Sequence, residues 1–206
     1  MLWKPIGEII CWQECTTPAV RDELRAALPG YDHETFADRN LGPGMNTMSW
    51  RRDTLRLVSA EFRKGSEPKE GVSPTRYVNW LVLEHLGTGQ QLAAVNCHFV
   101  SKAFWDPPEP DAEWRKEQWH NNMRVLREVI TELRADDLPV MVGGDFNRAV
   151  WDLIGPDLVE PRYREGRPTV DRVAVTTDIE VVSSRLGLRS GSNHQPVIAE
   201  LVLPVV

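Results

Sequence analysis

Val140-Met141-Val142 is a wholly apolar run that stops at Gly143-Gly144, with Asp145 and Asn147 following at once. A short strand that is apolar on both faces belongs in the middle of a sheet, covered on both sides. The same design recurs at three other places. Glu14 follows Ile9-Ile10-Cys11-Trp12, Asn96 and His98 end the run that starts at Leu92, and Asn193 and His194 precede Pro196-Val197-Ile198. A carboxylate or imidazole just beyond a buried strand is held rigidly yet reaches solvent, where catalytic groups usually sit.

The rest of the chain supplies the layers. An apolar, β-rich run covers residues 6–12. Thr17 reads as an N-cap with Pro18 at the first helical position, and the helix stops near Pro29-Gly30. Strands are predicted at 45–50 and 55–62 around the turn Arg51-Arg52-Asp53, then a hairpin of 76–86 and 91–99 joined at Gly87-Thr88-Gly89. Trp119, Met123, Leu126, Ile130 and Leu133 alternate four and three apart, which lays one apolar stripe along a helix over 112–133. Residues 138–142 form the central strand, and 170–175 and 195–203 the last two. Strands outnumber helices and many are hairpin-linked, which favours packed, mostly antiparallel sheets with helices outside. Pattern alone leaves α/β and α+β open.

The chain has 206 residues, the size of one domain, and its 41% hydrophobic and 26% charged residues exclude a disordered or fibrous protein. No apolar run approaches the ~18 residues of a membrane helix. Gly7 and Glu8 break the N-terminal apolar stretch, so it does not read as a secretory signal. Cys11, Cys15 and Cys97 match no zinc spacing and read as reduced thiols, which gives a cytoplasmic expectation. Net charge is −6, from 24 basic and 30 acidic residues. That argues against coating nucleic acid by bulk electrostatics, but not against an enzyme meeting a phosphate through a bound cation.

Taken in order, Trp12-Gln13-Glu14, Asn96-Cys97-His98, Gly143-Gly144-Asp145-Phe146-Asn147, Val170-Asp171 and Ser192-Asn193-His194-Gln195-Pro196-Val197 resemble the endonuclease/exonuclease/phosphatase superfamily. Met48-Ser49-Trp50-Arg51-Arg52 also looks like its strand leading into a basic turn. The resemblance implies an α/β fold, a four-layer sandwich of two mostly antiparallel sheets packed face to face with helices outside. It also implies a Mg²⁺- or Mn²⁺-dependent phosphoesterase site, most plausibly a nuclease or other phosphodiesterase. Phosphomonoesterase action on a lipid or inositol phosphate, and a non-catalytic phosphate-binding descendant, stay open beside it. A phosphoester substrate, with nucleic acid among the candidates, is the expected partner; no protein partner is predicted.

The residue chemistry agrees. Glu14 offers hard oxygen ligands suited to Mg²⁺ or Mn²⁺, with Asn193 as a weaker companion. Asp145 is placed to deprotonate the attacking water, and Asn147 to hold that water or a phosphate oxygen. His194 would contact the phosphate or act as general acid, with Asp171 fixing its tautomer, and His98 would be a second phosphate donor. Gly143-Gly144 would let the backbone turn tightly before Asp145. Asn96, Arg164 and Trp105 are the expected substrate contacts. Trp105 and its aromatic neighbours either line a groove or pin a proline-stiffened loop, and Arg162, Arg164, Arg167 and Arg172 either hold flanking phosphates or form a solvated loop.

Three features depart from the family pattern. Its first strand, which carries an asparagine, has no counterpart upstream of Glu14. Asn193 stands where an aspartate is usual, losing a negative charge. No carboxylate on the strand beginning at Arg76 offers itself to His98.

Overall fold

A computed structural model describes residues 7–36, 42–150, 154–155, 157–161, 169–189 and 192–204. Its central element is a six-stranded sheet of β4 (Leu55–Ser66), β5 (Arg76–His85), β6 (Gln91–His98), β7 (Val140–Asp145), β9 (Asp171–Thr176) and β8 (Leu158–Val159), in that spatial order. Every neighbouring pair is antiparallel except β6 and β7. Parallel neighbours need a long crossover, and here that connection contains α2 (Ala112–Ala135).

Side chains alternate across a strand, and this sorts the sheet into two faces. Val78, Val95, Val140 and Val142 meet the stripe Trp119, Met123, Leu126, Ile130 and Leu133 of α2. The predicted helix is therefore the one observed, two residues longer at its end. On the other face Leu81, Leu92, Ala94, Met141 and Val175 pack against Met48 and Trp50 of a second layer.

That second layer comes in two pieces. One is a three-stranded sheet, with β3 (Met48–Arg51) between β1 (Ile9–Cys11) and β2 (Tyr31–Glu34); the other pairs β10 (Glu180–Leu186) with β11 (Val197–Val202). Among the described residues the pieces share no ladder. A groove of about 310 Å³ lies between them, lined by Ile9, Cys11, Gly143, Val173, Gln195 and Val197 among others. The helix α1 (Pro18–Ala27) starts as expected: the Thr17 side chain accepts from the backbone N–H of Val20, with Pro18 in the first turn.

The sandwich expected from the sequence is thus observed, with its second sheet divided. Three strands lacked a sequence signal, among them β8, which is two residues long. β2 reads Tyr-Asp-His-Glu, and β10 leaves its polar Glu180, Ser183 and Arg185 exposed. All three lie at a sheet edge, where one hydrogen-bonding side is left without a strand neighbour and no apolar alternation is required. The predicted strand 45–50 begins later, at Met48, because a 3₁₀ turn occupies Pro43–Asn46.

Candidate active site

The candidate residues share a face for a reason of period and register. Leu92 and Ala94 belong to the inter-layer core, so Asn96 and His98, two and four residues further on, continue that face to the end of β6. Met141, Gly143 and Asp145 do the same on β7, and Val175, Val173 and Asp171 on β9. Register then sets His98 beside Asp145 and Asp145 beside Asp171. Three strands deliver three polar ends abreast.

Asp145 is 6% exposed, and its Oδ1 accepts the backbone N–H of Asn147 at 2.7 Å. Burial first, and the neighbouring Asp171 charge second, raise its pKa to about 6. Asp171 is itself raised by burial, against the stabilising hydrogen bond of His194. His194 lies in the segment before β11 with Nδ1 at 2.8 Å from Asp171 Oδ2. Burial alone would lower it, but the hydrogen bond and charge of Asp171, joined by Asp145 and Glu14, raise it overall. Potential ligand atoms of Asp145, Asp171 and His194 all lie within 4.8 Å of one another.

His98 sits deeper, 3% exposed, with Nε2 at 3.5 Å from Asp145 Oδ2. Its pKa is pushed down to about 3 by burial, then by the charge of Arg76, then by His194. The Arg76 Nη1 lies 2.9 Å from its Nδ1. Arg76 is the site residue that sequence reasoning missed. Its signal in the sequence is a basic residue opening the strand that pairs with the strand of His98.

The remaining candidates fall into three groups. Glu14 and Asn193 are exposed at the mouth; Glu14 has φ 63° just past β1, an uncommon conformation for a residue with a side chain. Asn96 is fully buried: its amide donates to the carbonyls of Trp12 and Thr47 and accepts from Gln13 Nε2 at 2.7 Å, so it braces the second layer against β6. Asn147, at φ 51°, donates to the carbonyl of Phe99 at 3.0 Å. In the aromatic loop Phe104 packs edge-on against Trp119, whereas Trp105 is 56% exposed with Lys102 Nζ 4.9 Å from its ring centroid. Arg172 turns inward to Glu160 at 2.5 Å and to the carbonyl of Arg148. Arg162, Arg164 and Arg167 lie outside the described residues.

The two glycines work differently from the expectation. Both lie inside β7, and neither has positive φ. They provide clearance instead of a turn. A Cβ on Gly143 would stand 2.9 Å from Cys11 Sγ, and one on Gly144 would stand 2.4 Å from the carbonyl oxygen of Cys97.

Comparison with known proteins places this geometry. Residues 5–194 match the sequence profile described as the Endonuclease/Exonuclease/phosphatase family. No curated protein matches the chain by sequence search. Among solved structures, a mannosyl-6-phosphatase from Bacteroides thetaiotaomicron VPI-5482 is similar with a TM-score of 0.74 and 20% identity, over 95% of this chain and 85% of that one. The human Nocturnin catalytic domain with bound sulfate is similar at 0.67 and 17%, over 95% and 80%. D. rerio TDP2 complexed with single-strand DNA product is similar at 0.68 and 15%, over 95% and 86%. At these identities the likeness is one of fold. Among the described residues no helix is long and apolar enough to cross a membrane.

Proposed function

The chain belongs to the endonuclease/exonuclease/phosphatase family, and on that premise we propose that it is a divalent-metal-dependent phosphoester hydrolase acting on phosphodiesters, nucleic acid among them. The observation that carries this reading is the corner where Asp145, Asp171 and His194 converge. Two neighbouring carboxylates there are both pushed toward the protonated form. A hard dication relieves that repulsion better than a proton does, and oxygen donors are what Mg²⁺ and Mn²⁺ prefer. Glu14 and Asn193 are the proposed ligands at the mouth, beside this corner. When bound, Mg²⁺ or Mn²⁺ polarises a phosphoryl oxygen and stabilises charge on the leaving oxygen.

The chain's own residues do the rest. Asp145, with a pKa near 6, is ionised at neutral pH and still basic enough to take a proton from water. Its geometry is held by the N–H of Asn147, whose side chain orients that water or a phosphate oxygen. Asp171 fixes His194 through Nδ1, which leaves Nε2 to donate to the phosphate or to the leaving oxygen. His98 donates to a second phosphate oxygen. Trp105 stacks a base or ring of the substrate and Arg164 holds a flanking phosphate.

A second reading, phosphomonoesterase action, draws on the net charge of −6, which suits a small substrate better than a long polyanion, and on the fold shared with a mannosyl-6-phosphatase. The test is hydrolysis of bis(p-nitrophenyl) phosphate and of the corresponding monoester, in Mn²⁺ or Mg²⁺ against EDTA, for the wild type and Asp145→Ala. EDTA-sensitive turnover of the diester, lost by roughly 10²–10⁴-fold in the variant, is expected. Turnover of the monoester alone selects the second reading. A folded protein with no metal-dependent turnover of either ester overturns both.

A further inference from the structure

We propose that Arg76 is a positioning residue that fixes His98 as the neutral tautomer protonated on Nε2, so that His98 serves the site as a permanent hydrogen-bond donor. This deepens the hydrolytic reading above and rests on it for its functional meaning, though not for its geometry.

The argument starts from what each group can do. A guanidinium carries five donors, has no acceptor and stays protonated inside proteins. At 2.9 Å, Arg76 Nη1 and His98 Nδ1 therefore meet in one sense only: the N–H of Arg76 donates, and Nδ1 offers its lone pair. A neutral imidazole has one N–H, so it must be on Nε2. The imidazolium would set an N–H and a second positive charge against the guanidinium in a buried corner, where both are costly. The other ring nitrogen faces Asp145 Oδ2 at 3.5 Å. An Nε2–H pointed there is favourable, whereas a bare Nε2 would oppose two lone pairs. Both contacts select the same tautomer.

Arg76 is well placed to impose this. It is 8% exposed, its backbone N–H donates to Ser66 Oγ at the head of β5, and its Nε finds no partner among the described residues. It is held by its strand, and among the described residues its guanidinium hydrogen-bonds to His98 alone, with the charges of Asp145 and Glu14 acting on it at longer range. His194 is the opposite case. Its Nδ1 faces the carboxylate of Asp171, an acceptor, so Nδ1 carries the hydrogen and Nε2 is left to exchange protons. Two imidazoles in one site thus carry their hydrogens on opposite nitrogens, because one is set by a cation and the other by an anion. His194 is the proton carrier and His98 the fixed donor.

The test is nitrogen-15 NMR of the full chain labelled at histidine, without added metal at pH 7, reading the couplings from the ring carbon-bound hydrogens to both ring nitrogens. His98→Asn identifies the resonances. The expected wild-type pattern is a protonated Nε2 and a bare Nδ1 at His98. Arg76→Met is expected to lose the fixed tautomer and Arg76→Lys to keep it, since an ammonium also donates. In a diesterase assay Arg76→Met lowers kcat by about tenfold with little change in KM, and Arg76→Lys recovers most of the loss. An Nδ1–H or doubly protonated His98 in the wild type overturns the proposal even where Arg76→Met does not fold. So does an unchanged tautomer in folded Arg76→Met. Absence of turnover under all conditions would sink the hydrolytic reading and leave the NMR pattern to decide the role of Arg76.

Discussion

On one side of the site, in the six-stranded sheet, β5, β6, β7 and β9 each have a hydrogen-bonded neighbour on both edges, and Arg76, His98, Asp145 and Asp171 ride on them. On the other side β1 and β11 each pair along a single edge among the described residues, and Glu14 and His194 lie just beyond them. Half of the site is thus fixed by ladders that cannot shift without breaking many bonds at once. The other half is held by side-chain packing and by single links, such as His194 to Asp171 and Gln13 to Asn96. The difference teaches where to look for each kind of residue. Groups whose protonation is set by burial lie on the continuous sheet, and groups at the exposed mouth lie on the divided one.

The largest test of this contrast is Asp145→Asn. Turnover should fall by roughly 10²–10⁴-fold, while the metal-free protein becomes more stable at neutral pH. The sign follows from the folded pKa, about 6, lying above the ordinary 3.8. The folded chain then prefers the proton, so the ionised carboxylate costs stability, fully above about pH 6 and not at all below 3.8. Urea unfolding at pH 7 should show a gain on the order of 2 kcal/mol. That gain should vanish as pH falls through this window. A loss of stability at pH 7 would mean that the continuous sheet does not strain its carboxylate.

Steric tolerance separates the halves next. Gly144→Ala drives a Cβ against the backbone oxygen of Cys97 at 2.4 Å inside the continuous sheet, and should destabilise by about 1–3 kcal/mol in thermal melts. Gly187→Ala, on the divided side, meets the ring carbon of Pro196 at 2.8 Å and the terminal methyl of Ile198 at 3.0 Å. Both can move aside, so the change should stay within about 1 kcal/mol. Equal costs would erase the distinction. The smallest effect belongs to the mouth: Asn193→Asp adds a carboxylate beside His194 and should tighten Mn²⁺ binding in calorimetry by about tenfold or less. Unchanged affinity would remove Asn193 from the ligand set.

Much of the fold was legible because a strand covered on both faces reads as a continuous apolar run, and a helix buried along one side as an apolar stripe. β6, β7 and α2 carried that signal, as did the cap at Thr17. β2 and β10 did not, since edge strands facing water need no apolar period. At the site, polar residues at the ends of apolar runs announced Asp145, His98 and His194, and Asp171 came with the family resemblance. The partner of His98 was hidden, because a partner on a neighbouring strand depends on register, which local sequence does not encode. Arg76 was overlooked for that reason. Asn96 showed the converse: its position at a strand end was legible, but its full engagement by Trp12, Thr47 and Gln13 required the second layer to be in place. Gly143-Gly144 was read as a turn because clearance from Cys11 and Cys97 is a property of neighbours.

The abreast placement of His98, Asp145 and Asp171 has a consequence for how such a chain can change over time. Because side chains alternate, one residue inserted or deleted within β6, β7 or β9 would swing that strand's polar end toward α2 and bring a hydrophobic residue to the site. Substitutions can accumulate on these strands one by one, but length changes cannot. Insertions have to be absorbed outside them, as at the tight turn Gly87-Thr88-Gly89, where His85 closes the hairpin without touching the chemistry.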